Sequence, residues 1–181
     1  MTASGSFSVA ARAVLRGIAR GSVESAARGR EWEAPRDVPP ELERPAGAFV
    51  SLKQRGRLRG CIGHVAADLP VWRAVAEAAR AAAIDDGRFP PLGPDELDAT
   101  EIEVSVLGPL RRVASPAEIT IGADGLLIRK DGCAGLLLPQ IATELGLDVE
   151  RFLDETCLKA RLPRGAWREG AEILAFNAEV F

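Results

Sequence analysis

A cysteine flanked by two glycines and two arginines stands in the segment Arg57-Leu58-Arg59-Gly60-Cys61-Ile62-Gly63. A thiolate is both a nucleophile and a metal ligand, and neighbouring cations favour it over the thiol. If the segment is a strand, side chains alternate between its faces, so Cys61 shares a face with Arg57 and Arg59. Glycine inside a strand often marks a bulge or the close approach of a ligand. The segment therefore predicts an anion-binding or thiol-based site.

Each residue of this segment also has a structural interpretation. Cys61 is a candidate catalytic nucleophile, but most free cysteines are small buried apolar residues. Arg59 either holds an anionic group or is a solvated arginine on a strand face. His64 could act as the base for Cys61, yet residues 61 and 64 point to opposite faces of a regular strand. An intervening bulge would bring them to the same face.

Composition limits the classes of function. The 181 residues carry a formal net charge of −3, which argues against a broad nucleic-acid surface. Arg55, Arg57 and Arg59 form a small basic patch without interleaved aromatics, so nucleic-acid binding there is the weaker alternative. The chain shows no apolar run of membrane-spanning length, and residues 1–6 do not resemble a secretory signal. We therefore expect a cytoplasmic protein that does not bind membranes.

The cysteine pattern indicates free thiols. Cys61, Cys133 and Cys157 are widely spaced and odd in number, which is not typical of a disulfide framework. With one histidine and no Cys-x-x-Cys pair, the chain predicts no metal site. Phosphate-binding loops, dinucleotide fingerprints and nucleophile elbows are absent from the sequence, so no cofactor is expected.

In the first half of the chain, the elements that must position Cys61 follow from periodicity. Apolar spacing predicts a helix over 7–27, with an interruption near Gly21. The proline-rich stretch 30–45 is a connection. Strands are predicted at 48–52 and 57–65 around a turn at Gln54-Arg55-Gly56, followed by a helix over 69–84 capped by Asp68.

In the second half, alternation predicts a strand over 100–107 with one wet face. A meander follows at 119–121, 126–130 and 133–138, with hairpin turns at Asp124-Gly125 and Asp131-Gly132. A helix over 139–145 ends at Gly146, Asp148 caps another, and 173–181 is a closing strand. This order predicts an α+β fold with an antiparallel sheet flanked by helices.

Five motifs together resemble the AMMECR family, whose prokaryotic members are called AmmeMemoRadiSam system protein A. The motifs are Leu58–Gly63, Asp86-Gly87-Arg88-Phe89-Pro90-Pro91-Leu92, the strand Glu101–Leu107, Gly135–Gln140, and Cys157-Leu158-Lys159-Ala160. The resemblance covers 47–181, so 1–181 is interpreted as a single domain whose first 46 residues are a helix and a connection. It also implies a smaller second subdomain, with the motif cysteine lining a cleft between the two parts.

The resemblance suggests partners without establishing an activity. Family members are associated with a Memo-like protein and a radical SAM enzyme. It places the Asp86–Phe89 loop near Cys61, so Arg88 could complete an anion pocket with Arg59, Gly60, Cys61 and Gly63. The alternative for Arg88 is an internal salt bridge to Asp85, Asp86 or Glu103. We expect binding of an anionic small molecule or partner, with cysteine-dependent catalysis as the alternative.

Overall fold

The computed structural model describes residues 6–181 and divides into two compact units. The first unit runs to Leu107 and includes the C-terminal residues Glu179–Phe181, and the second is Gly108–Ala178. Both units combine helices with antiparallel strands, which confirms the predicted α+β class. In the described part of the chain, none of the helices is long and apolar enough to cross a membrane.

The first unit is a three-stranded sheet with two long helices. Its elements are α1 (Val9–Ala27), β1 (Ala48–Gln54), β2 (Arg57–His64), α2 (Val71–Ile84) and β3 (Thr100–Leu107), with short 3-10 helices at Pro40–Leu42 and Pro94–Ala99. Strand β1 lies in the middle and pairs antiparallel with β2 and β3. The predicted hairpin and the predicted strand at 100–107 are therefore confirmed, and β2 is an edge strand.

The core of the first unit lies between the sheet and the helices. It contains fully buried residues from each element, among them Leu15, Val23, Val50, Leu52, Val71 and Val75. Many alanines on α2 let the two helices approach closely, and the Ser22 hydroxyl donates to the Ala76 carbonyl at 2.7 Å. This packing determines which face of β2 lies against α2.

Three details of the first unit differ from the sequence prediction. Helix α1 continues through Gly21 without interruption. Pro70, not Asp68, is the N-cap of α2, and no side chain caps this helix. Strand β3 has a wet face only in its first half, because Glu101 is exposed whereas Ser105 is 1% exposed.

The second unit contains four strands and two helices. These are β4 (Arg111–Arg112), β5 (Asp124–Lys130), β6 (Cys133–Leu137), α3 (Pro139–Glu144), α4 (Val149–Lys159) and β7 (Glu172–Val180), whose last residues belong to the first unit. Strand β5 pairs antiparallel with β6 and β7. Asp148 caps α4 as predicted, its carboxylate accepting from the Arg151 amide at 2.8 Å.

The predicted hairpin turn at Asp124-Gly125 and the predicted strand at 119–121 are wrong. Asp124 begins β5 as a buried carboxylate that accepts from the Thr120 amide at 2.8 Å and from Arg111 at 2.7 Å. Gly125 pairs with Phe176 inside β5–β7, and the position needs glycine because a Cβ there would overlap the Phe176 ring. Both residues resemble a turn in sequence, but their side-chain environment is that of a strand.

Candidate functional site

The hairpin turn that presents the Cys61 segment is tight. Arg55 and Gly56 both have positive φ, 51° and 72°, as the two central residues of a type I′ turn require. Gln54 pairs with Arg57 across this turn, and Lys53 pairs with Leu58. The turn therefore begins β2 at Arg57, as predicted.

A bulge at Arg59 changes which side chains share a face. Leu52 pairs with Gly60 while Lys53 pairs with Leu58, so Arg59 has no partner on β1. One extra residue reverses the alternation beyond it. Cys61 pairs with Ser51, and Arg57 pairs with Gln54. Ser51 and Gln54 point to opposite faces of β1, so Cys61 and Arg57 do so as well. The prediction that Arg57, Arg59 and Cys61 share a face is therefore wrong.

Arg59 turns toward the 3-10 helix Pro94–Ala99. Its Nε and Nη2 donate to the two Glu96 oxygens at 2.8 and 2.9 Å, and its Nη1 donates to the Pro90 carbonyl at 2.9 Å. The Arg59 side chain is 13% exposed. Hydrogen bonds from Arg59, Gly93 and Gln54 hold the pKa of Glu96 at about 2, below its ordinary value of 4.5. Arg59 thus anchors the proline loop to β2.

The two glycines of the segment are explained by close packing. A Cβ at Gly60 would overlap the Ala82 carbonyl of α2, and one at Gly63 would overlap the Ala48 carbonyl and crowd Phe49. Gly60 therefore lets β2 lie directly against the helix, and Gly63 lets it lie against β1. Neither position requires a ligand to account for the glycine.

The backbone of Cys61 is held from outside the sheet by the loop after α2. Its amide donates to Asp86 Oδ2 at 2.8 Å, and its carbonyl accepts from Arg88 Nη2 at 3.0 Å. Arg88 also donates to both Asp86 oxygens, at 2.9 Å from Nε and 2.7 Å from Nη2. The internal salt bridge considered for Arg88 is therefore present, with Asp86 as its acceptor.

The buried carboxylate of Asp86 is paired with Arg88, and both of its oxygens accept hydrogen bonds. Its side chain is 4% exposed. Hydrogen bonds from Arg88 hold the pKa of Asp86 far below its ordinary value of 3.8, although burial acts in the opposite direction. The same pairing raises the pKa of Arg88. Asp86 therefore stays ionised and keeps Cys61 and Arg88 together.

The Cys61 thiol contacts Ser51 on the neighbouring strand. Because the amide and carbonyl of Cys61 point outward, the two residues form a non-hydrogen-bonded pair, in which side chains lie close. The Ser51 hydroxyl donates to Cys61 Sγ at 3.2 Å. Ser51 is 6% exposed and Cys61 is half-buried. The segment therefore presents a thiol with one hydroxyl donor beside it.

His64 does not join this site. It lies opposite Ala48, on the other face from Cys61, because no bulge separates residues 61 and 64. Its Nε2 is buried and makes no hydrogen bond with the described residues. The geometric argument against a Cys61–His64 pair therefore agrees with the structure.

Arg88 retains hydrogen-bonding capacity toward solvent. Its Nε and Nη2 are used by Asp86 and Cys61, but Nη1 bonds to none of residues 6–181. The side chain is 48% exposed, and its guanidinium lies 5.5 Å from the centre of the Phe89 ring. Two N–H groups of a fixed cation are thus available near Cys61.

The other candidate groups have separate surroundings. Cys133 is half-buried beside the Asp131-Gly132 turn, and Cys157 is buried on α4, where burial raises the pKa of its thiol. Glu103 is the exception, because it lies opposite Ser51 on the face of Cys61, where it forms a salt bridge with Lys53 at 2.9 Å. Within the described residues no three metal-ligating side chains form a cluster.

Sequence reasoning missed two residues of the site. Ser51 gave no signal, because its role depends on the register between β1 and β2. Glu96 could have been found from its place in the 3-10 helix, where its carboxylate accepts from the Gly93 amide at 2.9 Å. Its second role, binding Arg59, depends on tertiary structure.

These observations define a class of protein. It has an α+β fold in which a loop hydrogen-bonds the backbone of a half-buried cysteine on an edge strand. The AMMECR1 family model matches residues 16–181, and the chain belongs to that family. The match begins within α1, earlier than the resemblance at 47–181.

Three similar proteins come from archaea. Protein PF1979 of Pyrococcus furiosus is 44% identical over 176 residues, covering 91% of this chain and 84% of that protein. A protein of Methanothermobacter thermautotrophicus is 43% identical over 172 residues, covering 91% and 90%. The crystal structure of uncharacterized protein PH0010 from Pyrococcus horikoshii superposes with a TM-score of 0.86 at 40% identity, covering 92% and 88%. None of these names states an activity.

Proposed function

We propose that this chain binds an anionic group, carried by a small molecule or a partner protein, at the Cys61 site, defined as Cys61, Ser51, Asp86 and Arg88. The observation that carries the proposal is the clamp on Cys61. Its amide and carbonyl are held by a buried carboxylate and the guanidinium that neutralises it, and the same guanidinium has two unused N–H groups. Preorganised donors of this kind favour a bound anion because they need no rearrangement.

The residues of the site would have two kinds of role, contact with the anion and positioning of the groups that contact it. Arg88 Nη1 would contact the anion and the Cys61 thiol would line its site, while Arg59 would act by holding the proline loop. The glycines at 60 and 63 would serve by allowing this packing. A cleft around the site stays a prediction from the family resemblance.

A Memo-like protein or a radical SAM enzyme is the partner that the family resemblance suggests, and a cytoplasmic location is proposed with it. Three unpaired cysteines support a reducing compartment. Neither the partner nor the location follows from the geometry of the Cys61 site.

Alkylation with two matched reagents tests the proposal. Iodoacetate carries a carboxylate that Arg88 can hold, and iodoacetamide does not. Because both react with the same thiolate, their rate ratio does not depend on how far the thiol is ionised. We expect a higher iodoacetate-to-iodoacetamide ratio at Cys61 than at Cys133, read by peptide mapping, and a fall in this ratio with added salt.

Variants of Arg88 complete the test. Arg88→Gln should reduce the ratio to that of Cys133, and Arg88→Lys should retain part of it if the fold is intact by circular dichroism. Arg80→Gln is the matched control, since Arg80 also pairs with an aspartate but at the surface. Equal ratios at Cys61 and Cys133 in the native protein would contradict anion binding at this site.

Nucleophilic catalysis by Cys61 is the second candidate function. The contact with Ser51 favours it, because the hydroxyl holds the Cys61 sulfur in a defined position on the strand face. The absence of His64 from this face leaves no imidazole base at the thiol. We expect no turnover of simple ester, peptide or phosphoester substrates; turnover that Cys61→Ser abolishes would replace the binding proposal.

A further inference from the structure

The tip of the β1–β2 hairpin carries a concave basic patch separate from the Cys61 thiol. This hairpin-tip patch encloses about 570 Å³ and is lined by Gln54, Arg55, Arg57, Leu58, Arg59 and Ala99. No acidic residue is among its lining residues. The thiol lies beyond the bulge at Arg59, on the face of Ser51.

Two of the three arginines in the patch have no internal counter-charge. Arg59 is neutralised by Glu96 at 2.8 Å. Arg55 and Arg57 are exposed and form neither an ion pair nor a side-chain hydrogen bond with any of residues 6–181. Two like charges near the same tight turn repel each other, and an external anion would relieve that repulsion.

The backbone conformation of Arg55 also supports an external anion at this patch. It has φ 51°, at a turn position where glycine, asparagine or aspartate is favoured. A long arginine there accepts some backbone strain and extends its guanidinium beside that turn. The patch thus combines a constrained backbone with two exposed cations.

The apolar part of the patch indicates the kind of anion. Leu58 is 43% exposed between Arg57 and Arg59 on the edge strand β2. Nucleic-acid surfaces of this size use aromatic side chains to stack bases, and none lines the patch. An extended peptide that alternates acidic and apolar side chains matches both the arginines and the leucine.

We infer that the hairpin-tip patch docks an acidic, leucine-containing segment of a partner protein. The guanidiniums of Arg55 and Arg57 hold carboxylates, and Leu58 packs against an apolar side chain of the same segment. This inference does not depend on anion binding at Cys61, because the two sites share neither the thiol nor Arg88.

Fluorescence anisotropy with a fluorescein-labelled peptide of alternating glutamate and leucine tests it. At low ionic strength we expect saturable binding, and about tenfold weaker binding by the double variant Arg55→Gln/Arg57→Gln, since each exposed contact contributes modestly. A peptide with glutamine in place of glutamate should not bind. The control Arg30→Gln/Arg36→Gln removes the same charge from the connection before β1 and should bind normally.

Three outcomes would overturn the inference. They are no saturable binding of the acidic peptide, equal losses in the two double variants, and tighter binding of an oligothymidylate that depends on Arg55 and Arg57. The last would assign the patch to nucleic acid. Leu58→Ser should weaken peptide binding without changing its salt dependence, and an unchanged affinity would remove the leucine contact from the inference.

Discussion

At the scale of single residues, Asp86 has more structural consequence than its neighbour Asp85. Asp86 is buried and binds the Cys61 amide and Arg88, whereas Asp85 pairs with Arg80 at the surface, with both side chains more than half exposed. Asp86→Asn should lower the free energy of unfolding by about 1–3 kcal/mol, because a charge-assisted network loses its charge. Asp85→Asn should change it by less than about 0.5 kcal/mol. Urea unfolding of both variants measures the difference, and equal losses would contradict the clamp.

Glu96 makes the free energy of unfolding depend on pH in the acid range. Its folded-state pKa of about 2 lies below its ordinary value of 4.5, so its contribution is complete above pH 4.5 and is lost as the pH falls toward 2. Glu96→Gln should remove part of the loss of stability over this window. Urea midpoints between pH 5 and 2.5 measure it; parallel curves for the variant and the native protein would mean that Glu96 is not the group responsible.

The residue types of the site were predictable, but their grouping was not. The sequence singled out Cys61 and Arg59 from their types and spacing, the family resemblance added Arg88, and the Asp86–Arg88 salt bridge was one of the alternatives considered. It could not place Arg59 on Glu96, because that contact joins two residues 37 positions apart. The bulge that puts Arg57 and Cys61 on opposite faces has no signature in the residue types alone.

At the scale of elements, the packing of β2 on α2 depends on Gly60. A Cβ there would overlap the Ala82 carbonyl, whereas Gly87 has open space around it and no positive φ. Gly60→Ala should destabilise the protein by about 1–3 kcal/mol through overpacking. Gly87→Ala should be neutral or slightly stabilising, because it restricts the unfolded chain. Thermal unfolding compares the two, and a neutral Gly60→Ala would show that β2 and α2 can move apart cheaply.

Elements with strong periodicity were predicted well. Helices α1 and α2, the hairpin and β3 follow from apolar spacing and a positive-φ turn. The errors occurred where one sequence pattern serves two structures. Asp124-Gly125 has the composition of a turn, but burial of the carboxylate and the Phe176 ring place it in a strand. Such competition between local and tertiary preferences is not visible in a short window.

At the scale of the whole molecule, the family match from residue 16 includes most of α1. Leu15 and Val23 of α1 are fully buried in the first unit. A fragment of residues 47–181 should therefore lack a cooperative transition, because it exposes the surface that α1 covers. Calorimetry and size-exclusion chromatography of the fragment measure this; a cooperative, monomeric fragment would support an independent core without α1.

Because of the bulge at Arg59, the direction of the Cys61 thiol depends on the number of residues between the hairpin turn and Cys61. The even or odd number of positions between the turn and Cys61 decides its side of the sheet, whatever side chains occupy them. Deleting one residue between Arg57 and Gly60 would restore strict alternation, and the chain would then have to turn either Cys61 or the hairpin tip to the opposite face. A change in the length of this strand would therefore reverse the direction of the thiol, which an exchange of side chains at the same length would not do.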